Sequence, residues 1–162
     1  MSHGRKILYS RDYVRAIEEF QKVLEVFPHS IYARSELAMA LYLNGSHDEA
    51  IEECLKMDYF DQQLPDASLK IGFIMGSAGK KEKNREILNY QLEISEKEFV
   101  RPTNFTILYM VLGEKDRALD WLERAYEQRE GWLVLLKVQP MFDPLRSDPR
   151  FQAVMDKMDF PD

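Results

Sequence analysis

IYARSELAMALYLNGSHDEAIEECLKM, residues 31–57, reads as two apolar helical segments broken at Asn44-Gly45-Ser46. Leu37, Ala38 and Leu41 recur at helical spacing before the break, and Ala50, Ile51 and Cys54 after it. A glycine between two such segments takes a left-handed backbone, ends one helix and lets the chain reverse. The stretch therefore predicts helix, turn, helix. Outward from it, Gly45, Gly79 and Gly113 stand 34 residues apart, and Ala16, Ala50 and Ala118 fall on the same lattice, interrupted at Asn84. A fixed period of this length marks a repeat array, in which each unit cannot bury its apolar face alone and must stack on its neighbours. The predicted fold is all-α, an α-solenoid of antiparallel helix pairs. Such a body usually binds rather than catalyses.

Rows of 34 starting at Ile31, Pro65 and Phe99 agree column by column. Leu37, Ile71 and Phe105 share one column, and Gly4, Ala38, Gly72 and Thr106 the next. Small residues let helix backbones approach, so this second column marks the tight crossing, with Ala16, Ala50 and Ala118 as its partners. Phe20, Cys54, Leu88 and Leu122 lie four residues beyond the alanine column, on the same helical face, and read as core. The spacing predicts helices over 4–10, 12–26, 30–44, 47–57, 66–78, 81–97, 102–112 and 115–129. Pro28, Pro65 and Pro102 fall between helices or at their starts, where a missing amide costs little. The organisation is an array over 1–130, with a partial first repeat at 1–30 and repeats at 31–64, 65–98 and 99–130. A capping segment follows at 131–162.

Composition narrows the function classes. The chain has 162 residues, 45% of them hydrophobic, which is long enough for a continuous core. No apolar run approaches the roughly 18 residues of a membrane span, and the charged N-terminus does not read as a signal peptide. One cysteine, Cys54, excludes an internal disulfide and fits a reducing compartment, so the expected location is cytoplasmic. A net charge of -6 with interspersed signs argues against a nucleic-acid surface. The expected partner is a protein or peptide, with no cofactor.

These residues resemble the tetratricopeptide repeat family, whose unit is the same 34-residue helix pair. The second row carries the resemblance best, through Leu37, Ala38, Leu41, Gly45, Ala50 and Ile51. The first row keeps Tyr13, Ala16, Phe20 and Pro28, and the fourth keeps Tyr109, Gly113, Ala118, Leu122 and Ala125. The third row departs, with Asn84 in the small column and Gln91 where Ala125 sits one row on. Either that helix is rotated or its amides find partners near the inter-helix contact. This repeat is expected to pack least tightly, and Asn84→Ala to stabilise it. The short first row reads as a chain that begins inside a repeat, a fragment of a longer protein.

Beyond the array, Asp143-Pro144 and Asp148-Pro149 each put an N-cap acceptor before a proline, a helix start used twice. Phe151, Val154, Met155 and Met158 form one apolar face of a last helix, expected to cap the open end of the stack. The sequence from Leu112 to Phe151 also looks like the C-terminal end of bacterial multidomain regulators, in which a tetratricopeptide region follows an effector domain. That likeness implies a sensing or docking module of a larger parent chain.

In the tetratricopeptide family the first helices of successive repeats line a concave groove. Carried over, the groove residues are Tyr9, Tyr32, Met39, Tyr42, Leu43, Leu69, Phe73, Ile107 and Met110. Aromatic and methionine side chains suit an adaptable apolar surface for a partner helix or extended peptide. Three occupants stay open: a partner protein or an adjoining domain of the same parent chain, the C-terminal segment through Trp132, Leu135 and Phe142, or a symmetry mate in a homodimer. The self-filled alternative makes the chain a structural or regulatory module that positions or dimerises an effector. The lysine and asparagine clamp by which some family members hold a peptide carboxylate is replaced here by Ser35, Met39, Leu69 and Phe73.

Catalytic and metal readings are weak. His3, His29 and His47 lie in termini or turns, none at i, i+4 from a second ligand on one helix. Cys54 reads as a buried inert thiol. Glu18-Glu19 and Glu52-Glu53 point apart as adjacent helix positions do, and Lys80-Lys81-Glu82-Lys83 is a solubilising turn. No enzyme activity, catalytic residue or metal is expected.

Overall fold

A computed structural model describes residues 8–57 and 65–158. Its helices are α1 (Tyr13–Val26), α2 (Ile31–Leu43), α3 (His47–Leu55), α4 (Pro65–Ser77), α5 (Lys81–Ser95), α6 (Pro102–Leu112), α7 (Lys115–Glu127) and α8 (Pro149–Lys157), with 3-10 helices η1 (Gly131–Leu135) and η2 (Pro140–Leu145) before the last. Among the described residues there is no strand, and no helix is long and apolar enough to cross a membrane. The predicted helix over 4–10 falls largely outside the described residues; Leu8 and Tyr9 are helical. The chain forms two compact units, Met1–Ile87 and Leu88–Asp162.

In the first unit α1 packs on α2, α2 on α3, and α2 also on α4. The alanine column and its partners are closed: Ala16, Ala38 and Ala50 are fully buried. Phe20, Leu37, Cys54 and Ile71 are buried beside them. The helix reversals are made by the backbone. Gly45 has φ 92°, its N–H donates to the Tyr42 carbonyl at 3.1 Å, and Ser46 N–H reaches back to Leu41 at 2.9 Å. Gly79, at φ 82°, repeats this with Gly76 at 3.0 Å, and Lys80 with Met75 at 2.8 Å. Together the two bonds satisfy carbonyls that a helix end leaves orphaned. Arg11 occupies the same column one row earlier and also has a left-handed backbone, φ 64°, so the column is conformational even where glycine is missing. A salt bridge spans the second repeat, where Arg34 pairs with Glu53 at 2.6 Å and also donates to the Pro28 carbonyl at 2.7 Å.

The second unit is built on α6 against α7, with Ala118, Leu122 and Ala125 fully buried and the Phe105 and Trp121 rings 4.4 Å apart. Gly113, φ 85°, makes the third turn of the series, with bonds of 3.0 Å from its own N–H to Met110 and from Glu114 to Tyr109. α7 ends in the same motif without a glycine. Arg129 has φ 53°, and Arg129 and Glu130 donate to Tyr126 and Ala125, each at 3.0 Å.

The C-terminal segment packs Leu133, Leu136, Met141, Phe142, Leu145 and Phe151 inward, and η2 lies against α6. α8 packs on α7, and Asp148 caps it by accepting from Arg150 N–H at 2.8 Å, as the Asp-Pro pattern predicts. The other Asp-Pro is corrected: Pro144 lies inside η2, which starts at Pro140 with the Gln139 side chain as its cap, and Asp143 instead pairs with Arg146 at 2.7 Å. The earlier Gln-Pro pair provides the same start signal four residues sooner.

The odd polar column of the third row is satisfied at one end of each amide, while Asn84 Oδ1 and Gln91 Nε2 are buried without a hydrogen-bond partner. Asn84 is fully buried, and its Nδ2 donates to the Gly72 carbonyl at 3.1 Å. Gln91 accepts from Asn104 Nδ2 at 3.2 Å. Where Ala38 accompanies Ala50, glycine accompanies the larger Asn84, so the pair keeps its combined bulk. The expected gain from Asn84→Ala is therefore offset by a lost hydrogen bond and an unfilled space.

Left-handed turns at glycine and at arginine allow a matched test. A Cβ added at Gly113 meets nothing within 4 Å, so Gly113→Ala isolates backbone strain. It should lower stability by about 1 kcal/mol, and Arg129→Gly should raise it by about the same amount. Urea denaturation midpoints of the two variants should move in opposite directions.

Candidate functional site

The candidate groove residues separate by position along their helices. α2 starts behind Ser30, whose Oγ accepts from Ala33 N–H at 3.2 Å, and this places Tyr32 in the exposed first turn, 38% accessible. Tyr42 and Leu43 lie in its last turn and are half-buried, as is Tyr9. Between the two turns every residue from Ser35 to Leu41 is buried, Met39 included at 1%. In α4, Leu69 and Phe73 are buried at 1% and 4%, and in the second unit Ile107 is fully buried while Met110 is half-buried. The expectation that Met39, Leu69, Phe73 and Ile107 present open surface is thus corrected. These helices are apolar on nearly every side, so column position alone does not say which side is open.

The structure brings some of these residues together. The Tyr42 ring stacks on His47 at 4.8 Å and meets the Phe73 ring edge-on at 5.4 Å, so a buried residue holds an open one in place. Lys70 Nζ lies 5.9 Å from the Tyr32 ring centre and pairs with Glu36 at 2.8 Å, both charges buried. That ion pair is invisible to periodicity, although both residues share a lattice column.

A second polar feature went unread in the sequence. Arg101, before Pro102, gives α6 no side-chain cap; the buried carboxylate of Glu130 does so, accepting from Thr103 N–H at 3.0 Å and Thr103 Oγ1 at 2.7 Å. The helix N-terminus favours this negative charge. Glu130 also borders a cleft of about 490 Å³ shared with Tyr126, Arg129, Leu133, Val134 and Met158.

Electrostatics define anchors rather than a reactive centre. Burial, with Glu53 adding to it, pushes the Cys54 thiol up to about 12, leaving it protonated at neutral pH. Burial works against the Glu53 carboxylate, but hydrogen bonds from Lys56 and Arg34 outweigh it and hold its carboxyl below the usual range. In the second unit Arg150 donates to both Glu123 oxygens at 2.8 Å and to Asp120 at 2.7 Å, which raises its own affinity for the proton and lowers that of Glu123. Lys115, 2.7 Å from Asp148, does the same there, helped by the Arg150 N–H. Among the described residues no group of three or more histidine, cysteine or acidic side chains is placed to hold a metal.

Helix pairs at a 34-residue period, reversed at left-handed turns, define an all-α helical repeat protein. Residues 8–70 match the tetratricopeptide repeat family model. It is 28% identical over 93 residues to the small glutamine-rich tetratricopeptide repeat-containing protein 2 of Mycosarcoma maydis, an alignment covering 57% of this chain and 26% of that protein. The chain spans about a quarter of that relative's length. Tetratricopeptide repeats generally mediate protein–protein interaction and point to a scaffold rather than a catalyst.

Two outcomes follow. Glu130→Ala leaves Thr103 with an orphaned buried donor and should cost about 2 kcal/mol, with Glu130→Gln losing less because the amide oxygen can still accept. Denaturant titration of both variants checks the order. For pH, the lowered carboxyls of Glu53, Glu123 and Asp148 mean that their stabilisation is fully present above the unfolded carboxyl range, about 4, and is lost as pH falls through the folded values. The urea midpoint should fall between about pH 5 and 3, and Arg150→Met should flatten that fall.

Proposed function

We propose that this chain is a docking module that takes a protein segment against the open apolar positions of its first unit, the aromatic Tyr9, Tyr32 and Tyr42 together with Leu43. The observation that carries this is Tyr42, half-buried and held between His47 and Phe73. A tyrosine already fixed in place loses little entropy when a partner covers it, which is what interface anchors need. Met110, half-buried in the second unit, is a separate apolar position of that unit. The partner is a peptide, a helix or an adjoining domain of a parent chain. The net charge of -6 disfavours nucleic acid, and the single cysteine fits a cytoplasmic setting.

One observation favours a second reading for the second unit. α6 is buried from Pro102 to Tyr109, and η2 packs on it with Phe142 fully buried. On this reading that unit's groove is filled by the chain's own C-terminal segment, and the unit holds or dimerises an effector domain.

The test compares proteins captured from source-cell lysate by the native chain, by Tyr32→Ala/Tyr42→Ala and by Val14→Ala, an exposed α1 control, with folding verified by circular dichroism. A protein lost only with the double variant, and cross-linking to a photoreactive residue placed at position 32, supports docking there. Loss on the order of tenfold or more in affinity is expected for two aromatic anchors. Equal capture by all three forms removes the face from consideration.

A further inference from the structure

Glu36 and Lys70 form an ion pair of 2.8 Å across the contact between α2 and α4, with side-chain exposures of 1% and 8%. They occupy the same position of successive repeats, 34 residues apart. The other buried residues of these two helices are mostly apolar or small: Ala33, Leu37 and Met39 from α2, Leu69, Ile71 and Phe73 from α4. Apolar faces built on one repeated pattern discriminate poorly among neighbours, because every repeat offers a similar face to the next. A charged pair at a shared column does discriminate. Stacking the second repeat of one molecule on the second repeat of another, in the orientation the third repeat takes, would set Glu36 against Glu36. The third repeat on itself would set Lys70 against Lys70. Burying like charges is prohibitive, whereas a buried opposite pair contributes little net stability over an apolar pair of similar size.

The geometry points to the Glu36–Lys70 pair as the device that selects which repeat stacks on which, excluding exchange of repeats between copies of this chain. Its role is choice of neighbour more than strength of contact. A stability role alone would not place opposite charges at one lattice column, and an apolar pair there would serve stability at least as well.

The full chain is compared with Glu36→Leu/Lys70→Leu, with the reversed pair Glu36→Lys/Lys70→Glu, and with Glu36→Gln/Lys70→Met, which keeps side-chain length should the leucine pair fail to fold. Size-exclusion chromatography with light scattering over a concentration series reports exchanged dimers, and amide correlation spectra report alternative packings. The uncharged variants should keep native helix content and a urea midpoint at or above that of the native chain. They should also give concentration-dependent dimer or doubled amide peaks for α2 and α4. The reversed pair should remain a single species, as the native chain is expected to be. A folded uncharged variant that stays a single monomer with one peak per amide overturns the proposal. So does a reversed pair as heterogeneous as the uncharged variants, since sign complementarity would then decide nothing.

Discussion

The left-handed turn closed by two backbone hydrogen bonds is the constraint on which the rest of this structure depends. It occurs at Gly45, Gly79 and Gly113 with φ values from 82° to 92°, and the carbonyls it satisfies, Leu41, Met75 and Tyr109, are themselves 34 residues apart. Because the reversal is made by main chain, it fixes the phase at which the next helix begins. The alanine column follows each turn by five residues, and the small column precedes it by seven. Small residues thereby meet small residues in the second repeat, through Ala38 and Ala50, and glycine makes room for Asn84 in the third. That is why Ala38, Ala50 and Ala118 are fully closed.

Against that frame, the polar groups of the core behave as local solutions to local deficits. Asn84 in the alanine column is compensated by a glycine on the facing helix and by a bond to that glycine's carbonyl. Gln91 and Asn104 satisfy part of each other's needs. Glu130 supplies the cap that Arg101 does not. None of these arrangements adds much beyond the desolvation it offsets, since a net hydrogen bond is worth about 1 kcal/mol. Removing either member is nevertheless costly, because the other stays buried.

Helices and turns were legible because their signals are local. Gly45, Gly79 and Gly113 mark the turns, the alanine and leucine columns give the buried faces, and Asp148 before Pro149 gives the last cap. What was not legible has physical reasons. Arg11 and Arg129 take a backbone that their residue type disfavours, so only the lattice, or the structure, places turns there. η1 and η2 are 3-10 pieces too short to carry a period, and the start of η2 was misread by four residues. The candidate site was the least legible part. Column position identified Tyr32, Tyr42 and Leu43 as outward positions, but the same rule named Met39, Leu69, Phe73 and Ile107, which are buried. A helix that is apolar on nearly every side carries no mark of which side faces solvent.

The surviving open positions have a consequence for affinity. Tyr32 and Tyr42 are ten residues apart on α2, about 15 Å at helical rise, so one partner side chain cannot touch both. A segment of about five extended residues, or about ten helical ones, is the shortest that can. Tyr32 has 38% of its surface to give up, and Tyr42 is half-buried. At about 25 cal/mol per Å², two partly open rings offer at most about 4 kcal/mol, which does no more than meet the low end of the cost of association. On the proposed docking reading, the tyrosines therefore choose a partner without holding it tightly. Tight binding requires contact outside this pair, either along Leu43 and Tyr9 or by linking the module covalently to a second binding element that raises the local concentration of its partner.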